Sequence, residues 1–476
     1  MLPTIHFDPE NKSPLYKQLC AKLKEQIECG ALSTGARLPA TRELAGQLGL
    51  NRTTVSAAYA MLESEGLIKG HVGRGSFVVG QPLASSSSAE FAGRPLADFS
   101  SSRPSELLFP LDEFRATCAE VIASADAQAI LQLGSPAGFP PLRRYLLEQS
   151  RAEGVASDAD DILIASGCQQ AFDLLQRTLV RNGETVLVED PVYLGVRNVF
   201  ERAGARLIGV PVGSNGLDLE TLERVIAREH PRLVVVTSNF QNPTGATMPL
   251  AARKALLRIT QAAGVVVIEN DIYGPLVYED SPVPTVKSLD ETGDTILLRS
   301  FSKIAFPGLR VGWVIAPRAL IEKLTEAKQW SDLHTDQLSQ AVLLRFAESG
   351  RLAEHRLRML EAGRLRLHAA VDACEKYLPA EAQFTRPHGG MSLWIRLPEP
   401  LDAGELLARA ERQGVTYLPG KYFAVTRPRS NCLRISFAGM APEQIRSGMA
   451  VLGRIFQEEL ERVKAHAPMT EATALV

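Results

Sequence analysis

The 476-residue sequence predicts an α/β protein: a large body on a mostly parallel sheet, preceded by a small helical head that ends in a hairpin. Three observations carry this reading. Seven apolar runs, "DILIASG", "TVLVED", "ARLIGVPV", "RLVVVTSN", "GVVVIEND", "TILLRS" and "RVGWVIA", lack the two-residue alternation of a half-exposed strand, so each reads as a strand buried on both faces. Helical patterns lie between them, as βαβ units require. Upstream, "GQPLASSSSAEFAGRPLAD" holds four consecutive serines and too little apolar surface to fold alone, so it separates head from body as a linker.

The division that follows is a head at 1–79, a flexible linker at 80–97 and a body at 98–464, with 465–476 expected to be disordered. Within the body, a large lobe spans about 141–330 and a smaller α+β lobe about 331–464, where the pattern turns helical and then mixed. Hydrophobic residues make up 45% and charged residues 22%, ordinary values for a globular protein. No apolar run is long enough to span a bilayer, and "MLPTIHFDPENK" lacks the basic-then-apolar order of a signal peptide. The expectation is a cytoplasmic protein with no membrane partner. Six scattered cysteines show no CxxC pair or zinc spacing, which points to reduced thiols and no metal. Net charge is −2, and residues 1–80 carry nine Lys/Arg against seven Asp/Glu, so any nucleic-acid binding must come from where charges sit.

In the head, "PLYKQLCAKLKEQIEC" opens with a proline and carries Leu15, Leu19, Leu23 and Ile27 at helical spacing. A second helix, roughly 41–48, breaks at Gly49, and Asn51 caps a third. On that third helix Val55, Tyr59 and Leu62 share an inward face. Arg52, Thr53 and Ser56 take the other face near its N-terminus, where recognition helices meet base edges and phosphates. "LIKGHVGRGSFVV" then reads as a glycine-tipped hairpin with Lys69, His71 and Arg74 near its tip, a wing suited to phosphates or a minor groove. Through "LPATRELA", "NRTTV" and "LESEGLI" the head resembles the GntR-type winged helix-turn-helix over residues 12–79. The resemblance implies double-stranded DNA as partner, Arg42, Arg52 and Thr53 as contacts, and Gly73 with Arg74 as the wing tip.

In the body, "SFSKIAFPGLRVGW" places Lys303 in a stretch whose one other charge is Arg310. A lysine amine is nucleophilic only when deprotonated, and a pocket poor in counter-charge lowers its pKa, which suits a Schiff base to an aldehyde. Ser300 and Ser302 flank it and Arg310 follows a Pro-Gly turn, a set suited to a phosphate dianion. "IASGCQQAF" ends a strand and starts a helix, aiming the amides of Gly167, Cys168 and Gln169 at an anion, with the Cys168 thiol a small filler rather than a nucleophile. Tyr193 of "EDPVYLG" can stack on an aromatic ring, Asn242 of "NFQNPTGAT" offers an amide to a phenolic oxygen, and Tyr273 of "IENDIYGPL" offers a hydroxyl. All of these fall at strand ends, where open α/β sheets bind ligands.

Taken in this order, the motifs resemble fold-type I aminotransferases of class I over roughly residues 98–460. That resemblance implies pyridoxal 5'-phosphate as cofactor, Lys303 as the catalytic residue that links to it, and Ser300, Ser302, Arg310 and the 167–169 amides as its phosphate cradle. It also implies Tyr193 stacking on the ring, Asn242 and Tyr273 bonding its phenolic oxygen, and Arg434 of "NCLRISFAGM" gripping a substrate carboxylate. A winged helix joined to such a body resembles the MocR/GabR-type regulators, which implies a head-to-tail homodimer sensing an amine, an amino acid or the cofactor itself. Two positions depart from the pattern. Leu133 stands where the family usually has a tyrosine reaching the neighbouring subunit's phosphate. Asn270 stands where the family has the aspartate that pairs with the ring nitrogen, although Asp271 is adjacent and a shift of one residue would bring it in. Because a carboxylate keeps that nitrogen protonated, an asparagine there predicts slow carbanion chemistry with exchange of amines retained. A transcription regulator is therefore expected, and a working aminotransferase with an appended head is the competing reading.

Overall fold

The computed structural model describes residues 14–28, 32, 36, 38–64, 67–71, 75–78, 95–279, 282–426 and 428–466, and the chain divides into two units, Met1–Arg94 and Pro95–Val476. The first unit holds helices α1 (Leu15–Glu28), α2 (Thr41–Leu48) and α3 (Arg52–Ser64) and a hairpin of β1 (Ile68–His71) and β2 (Gly75–Val78). Gly49 ends α2 in the left-handed conformation, φ 64, with its N–H donating to the Ala45 carbonyl. The Asn51 side-chain oxygen then accepts the Thr53 N–H at 3.1 Å and opens α3. Leu19, Leu23, Val55, Tyr59 and Leu62 form the core as their spacing predicts. Leu15 does not join them: it is 45% exposed, because it opens α1 at the outer end of the ridge that Leu19 and Leu23 continue inward. In the hairpin, Ile68 lies opposite Val78 and His71 opposite Gly75. Gly73, Arg74 and the side chains of Arg42, Lys69 and His71 lie outside the described residues.

The second unit opens with β3 (Ala97–Asp98). Its large sheet comprises β4 (Asp160–Ala165), β5 (Thr185–Asp190), β6 (Arg206–Gly213), β7 (Gly216–Leu217), β8 (Leu233–Val236), β9 (Val266–Asn270), β10 (Thr295–Ser300) and β11 (Gly312–Pro317). The order is β4-β11-β10-β9-β8-β5-β6-β7, and all seven apolar runs form strands of it. Strands β6, β5, β8, β9 and β10 run parallel. Strand β11 is antiparallel to both β10 and β4, which brings its first residues to the edge where the parallel strands end.

Alternate residues of these strands pack on opposite faces. Leu163, Val186, Val188, Val235, Ile268 and Val314 meet Phe172 and Leu175 of the helix Cys168–Leu179. On the other face, Leu187, Val234 and Val267 meet Leu222 and Leu256, while Ile162, Leu297 and Ile315 meet Leu142, Leu343 and Phe346. Each such side chain contributes roughly 1.5–3 kcal/mol by leaving water. That two-sided burial is why the strands read as continuous apolar runs.

The smaller sheet holds β12 (Gln383–Phe384), β13 (Ser392–Arg396), β15 (Leu418–Pro419) and β16 (Cys432–Ser436), all antiparallel neighbours, while β14 (Val415–Thr416) pairs in parallel with β3. That pairing carries Ala97 and Phe99 into the core of the small lobe. The helix Gln337–Glu348 still packs on the large sheet, so the chain crosses to the small lobe along the next helix, Arg351–Tyr377, later than the helical pattern from about 331 implied. Apolar spacing tells that a helix face is covered but not by which sheet. Among the described residues no helix is long and apolar enough to cross a membrane, and five cysteines are free.

Candidate cofactor and ligand site

The carboxyl ends of β4, β5, β8, β9 and β10 converge on a cavity of about 370 Å³. It is lined by Cys168, Gln169, Tyr193, Asn242, Asn270, Tyr273, Ser300, Ser302, Lys303, Arg310 and Arg434. Ten of those eleven arrive on six separate stretches of the large lobe, and Arg434 comes from β16 of the small one.

Lys303 ends a 3-10 turn, Phe301–Lys303, that leaves β10. Its Nζ donates to the Ser102 carbonyl at 2.6 Å and sits 5.6 Å from the centre of the Tyr273 ring. Burial, followed by the nearby Arg434 charge, pushes its amine down to about 8. The neutral amine is the nucleophile, so the yield of a borohydride-trapped adduct with a small aldehyde at Lys303 should climb with pH and level off above about 8. An ordinary lysine would continue to about 10.4. Peptide mapping across a pH series checks this, and a climb unbroken past pH 10 would contradict it.

The anion cradle has the chemistry that a phosphate needs. The helix Cys168–Leu179 points its N-terminus at the cavity, and the amides of Cys168 and Gln169 have no acceptor within the helix; the Gly167 amide, expected to join them, instead donates to the Ala165 carbonyl at 2.7 Å. Gly167 sits at φ 82, a left-handed conformation that favours glycine, and its Cα faces the Arg310 guanidinium, 2.4 Å from where a Cβ would stand. The Arg310 guanidinium makes only long bonds, 3.4 Å to the Pro307 carbonyl and 3.5 Å to the Ser166 carbonyl, which leaves it free to turn to an anion. Ser300 Oγ donates to Ser302 Oγ at 3.0 Å, and both hydroxyls line the cavity. The Cys168 thiol donates to the Arg299 carbonyl, and burial pushes it up to about 12, so it stays neutral. Tyr193 opens the next helix and stays 43% exposed. Its ring packs so close to Gly195 that a Cβ there would lie 2.3 Å away.

At the other end, Asn242 Nδ2 donates to the Tyr273 hydroxyl at 3.3 Å, and Asn242 Oδ1 accepts from Arg434 Nη1 at 3.0 Å. Burial pushes the Tyr273 phenol up to about 12, so it remains a donor. Arg434 is 3% exposed, its Nη2 donates to the Ser100 carbonyl, and its Nε has no partner among the described residues.

Asn270 and Asp271 separate cleanly. Asn270 ends β9, lines the cavity, and leaves its buried Oδ1 without a partner, while its Nδ2 makes only a 3.5 Å contact to Thr237 Oγ1. Asp271 was a candidate for the ring nitrogen, and the structure removes it. Its carboxylate pairs with Arg299 Nε at 3.0 Å and accepts from Asn239 Nδ2 at 2.8 Å, away from the cavity, because successive residues of an extended chain point to opposite sides. Leu133 lines no part of the cavity and is 74% exposed. In the head, Arg52, Thr53 and Ser56 are exposed on α3, with the Thr53 hydroxyl donating to Asn51 Oδ1 at 3.0 Å.

Sequence reasoning missed the strap Ser100–Arg103, which lines the cavity and gives two carbonyls to Lys303 and Arg434, and the apolar wall of Ile272, Leu418 and Phe423. The strap carries no strand or helix signal, so only its anchoring reveals it. The Phe99 N–H donates to the Thr416 carbonyl at 2.9 Å, the Phe99 carbonyl accepts from Ser436 N–H at 3.0 Å, and Ser105 is buried beyond it.

Residues 98–452 match the family model of class I and II aminotransferases, and residues 15–78 match that of bacterial regulatory proteins of the gntR family. The chain is 36% identical to the 2-aminoadipate transaminase of Thermus thermophilus over 75% of this chain and 89% of the relative. The crystal structure of LysN, alpha-aminoadipate aminotransferase, from the same organism, complexed with N-(5'-phosphopyridoxyl)-L-leucine, is similar with a TM-score of 0.72. Its sequence is 35% identical, over 77% of this chain and 93% of that one. To the probable rhizopine catabolism regulatory protein MocR of Rhizobium meliloti the chain is 30% identical, with 98% of each covered. The chain therefore belongs to the class I and II aminotransferase family and, within it, to the MocR-type regulators that join a gntR-type head to that body.

Proposed function

We propose that this protein is a DNA-binding transcription regulator that holds pyridoxal 5'-phosphate at Lys303 and senses a small amine or amino acid by exchanging it at that position. The observation that carries this is the pairing of a half-buried lysine of lowered pKa with an amide, Asn270, where a carboxylate would drive catalysis. The residues fit the cofactor. The cradle at Gly167, Ser300, Ser302 and Arg310 suits its phosphate, and Asn242 with Tyr273 suits its phenolic oxygen. Tyr193 suits its ring face, and the unpartnered Asn270 oxygen suits its nitrogen. When bound, the cofactor supplies an aldehyde for amines and a ring that withdraws electrons to the extent that its nitrogen is protonated.

The chain's own groups do the rest. The Lys303 amine is the group that would hold the aldehyde and release it to an incoming amine. Arg434, its guanidinium 5.2 Å from the centre of the Phe423 ring, offers bidentate donors to a carboxylate in exchange for the Ser100 carbonyl. Asn270 keeps the site from favouring the protonated ring. A ligand bound this way shifts the head's DNA-binding equilibrium only through unequal affinity for the arrangements open to it. Exposed apolar side chains such as Leu107, Leu131, Leu133 and Trp330 leave the body surface for a second copy to cover, and a homodimer with head-to-tail pairing belongs to this reading. A cytoplasmic location is part of it as well.

The test is a purified full-length protein with cofactor, titrated with amines and amino acids while its visible band and its retention of DNA from its own upstream region are both followed. A band that responds together with DNA retention supports the reading. Rapid multiple-turnover transamination without any effect on DNA would replace it with the enzyme reading. Arg52→Ala should weaken DNA binding roughly tenfold, as loss of one side-chain contact of about 1–3 kcal/mol requires. The visible band should be unchanged, and loss of both readouts would show that α3 is not a separable DNA reader.

A further inference from the structure

The cavity holds four cationic side chains, Lys303, Arg310, Arg434 and Arg103, and no carboxylate lines it. On the reading above, three have assignments: Arg310 to the phosphate, Lys303 to the aldehyde and Arg434 to the ligand's α-carboxylate. Arg103 is left over. We propose that Arg103 selects the ligand, and that the ligand is an amino acid with a second, acidic group on its side chain. This rests on the sensing reading and deepens it.

Arg103 is itself exposed, but the strap that carries it to the cavity is built rather than incidental. Its strap is anchored by Phe99 on one side, fully buried in the small-lobe core, and by buried Pro104 and Ser105 on the other. Asp98 Oδ1 tightens it further by accepting from the Ser100 N–H at 2.9 Å. Arg103 Nε donates to Ser101 Oγ at 2.8 Å, which orients the guanidinium, and no ion pair to a carboxylate involves it among the described residues. Its charge is one of those that act on the Lys303 amine, as Arg434 does, so it stands within electrostatic reach of the reacting group. Ile272, Leu418 and Phe423 add an apolar wall to the same cavity, suited to the methylenes of a ligand whose two ends are both charged. A neutral aliphatic ligand would satisfy that wall and leave Arg103 with nothing to bind. A positively charged side chain would meet Arg103, the one cation left without a counter-charge.

The test uses full-length protein loaded with pyridoxal 5'-phosphate and follows the visible band, with thermal shift as a second readout. L-glutamate, L-2-aminoadipate and L-aspartate are compared with L-glutamine and L-norvaline. Wild type should take at least one acidic ligand about tenfold or more tightly than L-glutamine, the range of a charge-assisted hydrogen bond. Arg103→Gln should remove that preference while leaving L-glutamine affinity and cofactor retention intact, and Arg103→Lys should restore part of it. Equal affinities in wild type, or a preference that survives in Arg103→Gln, would overturn the proposal while leaving the sensing reading standing. Loss of cofactor from Arg103→Gln with the preference intact would overturn it too, by assigning the guanidinium to the phosphate. A band silent toward every amine would overturn the sensing reading and this proposal with it.

Discussion

Replacing Asn270 with aspartate is expected to raise the rate of transamination and to make the cofactor-free protein less stable. Both effects come from one buried position, 4% exposed, whose side-chain oxygen has no partner. A carboxylate placed there has no ion-pair partner of its own: Arg299 already pairs with Asp271, and the cavity's cations, Lys303, Arg310, Arg434 and Arg103, act on it only across open space. An uncompensated buried charge costs on the order of 3 kcal/mol. The new carboxyl will therefore rise in pKa, and the melting temperature of the cofactor-free variant will fall below that of wild type. With pyridoxal 5'-phosphate bound, the ring nitrogen becomes the missing counter-charge, and an opposite charge at that range raises its pKa by roughly 1–3 units. Single-turnover transamination of an accepted amino acid should rise by at least about tenfold, since each unit is about 1.4 kcal/mol of differential stabilisation. The gain in melting temperature on adding cofactor should also exceed that of wild type. Unchanged rates together with an unchanged cofactor-dependent shift would show that Asn270 does not face the ring.

Replacing Lys303 with alanine is expected to abolish covalent attachment outright. The protein should lose its visible band, yield no borohydride-fixed peptide, and release cofactor on dialysis. The cradle at Gly167, Ser300, Ser302 and Arg310 remains, so weak reversible binding of the phosphate should survive at high cofactor concentration. The fold should survive as well, since Lys303 makes one hydrogen bond, to the Ser102 carbonyl, and sits outside the main clusters of apolar side chains. Calorimetry and the ultraviolet spectrum at graded cofactor concentrations check this. A borohydride-fixed adduct that persists on another lysine would move the site.

Much of this was legible along the chain for a stated physical reason. Strands buried on both faces carry continuous apolar runs in place of alternation, so β5, β8 and β10 announce themselves. Turns that hold an anion need glycine where the backbone takes a positive φ, as at Gly167. The head was legible through Gly49 and Asn51, because ending one helix and starting the next takes particular backbone and capping chemistry. Register within one turn was not: Asn270 and Asp271 are adjacent, equally polar and both buried, and nothing local says which looks inward.

What the sequence determined by itself, then, was the order of the elements, the two-sided sheet and the set of groups at its strand ends, because these follow from local burial and backbone chemistry. The tertiary structure decided which neighbour took which role. It gave Asp271 to Arg299 and left Asn270 facing the cavity. It seated the strap Ser100–Arg103 against Lys303 and Arg434, residues about 200 and 334 positions away. Those pairings depend on where β3 and β14 meet and on how two lobes close over one cavity, and distances across a fold are not written in any single stretch of chain.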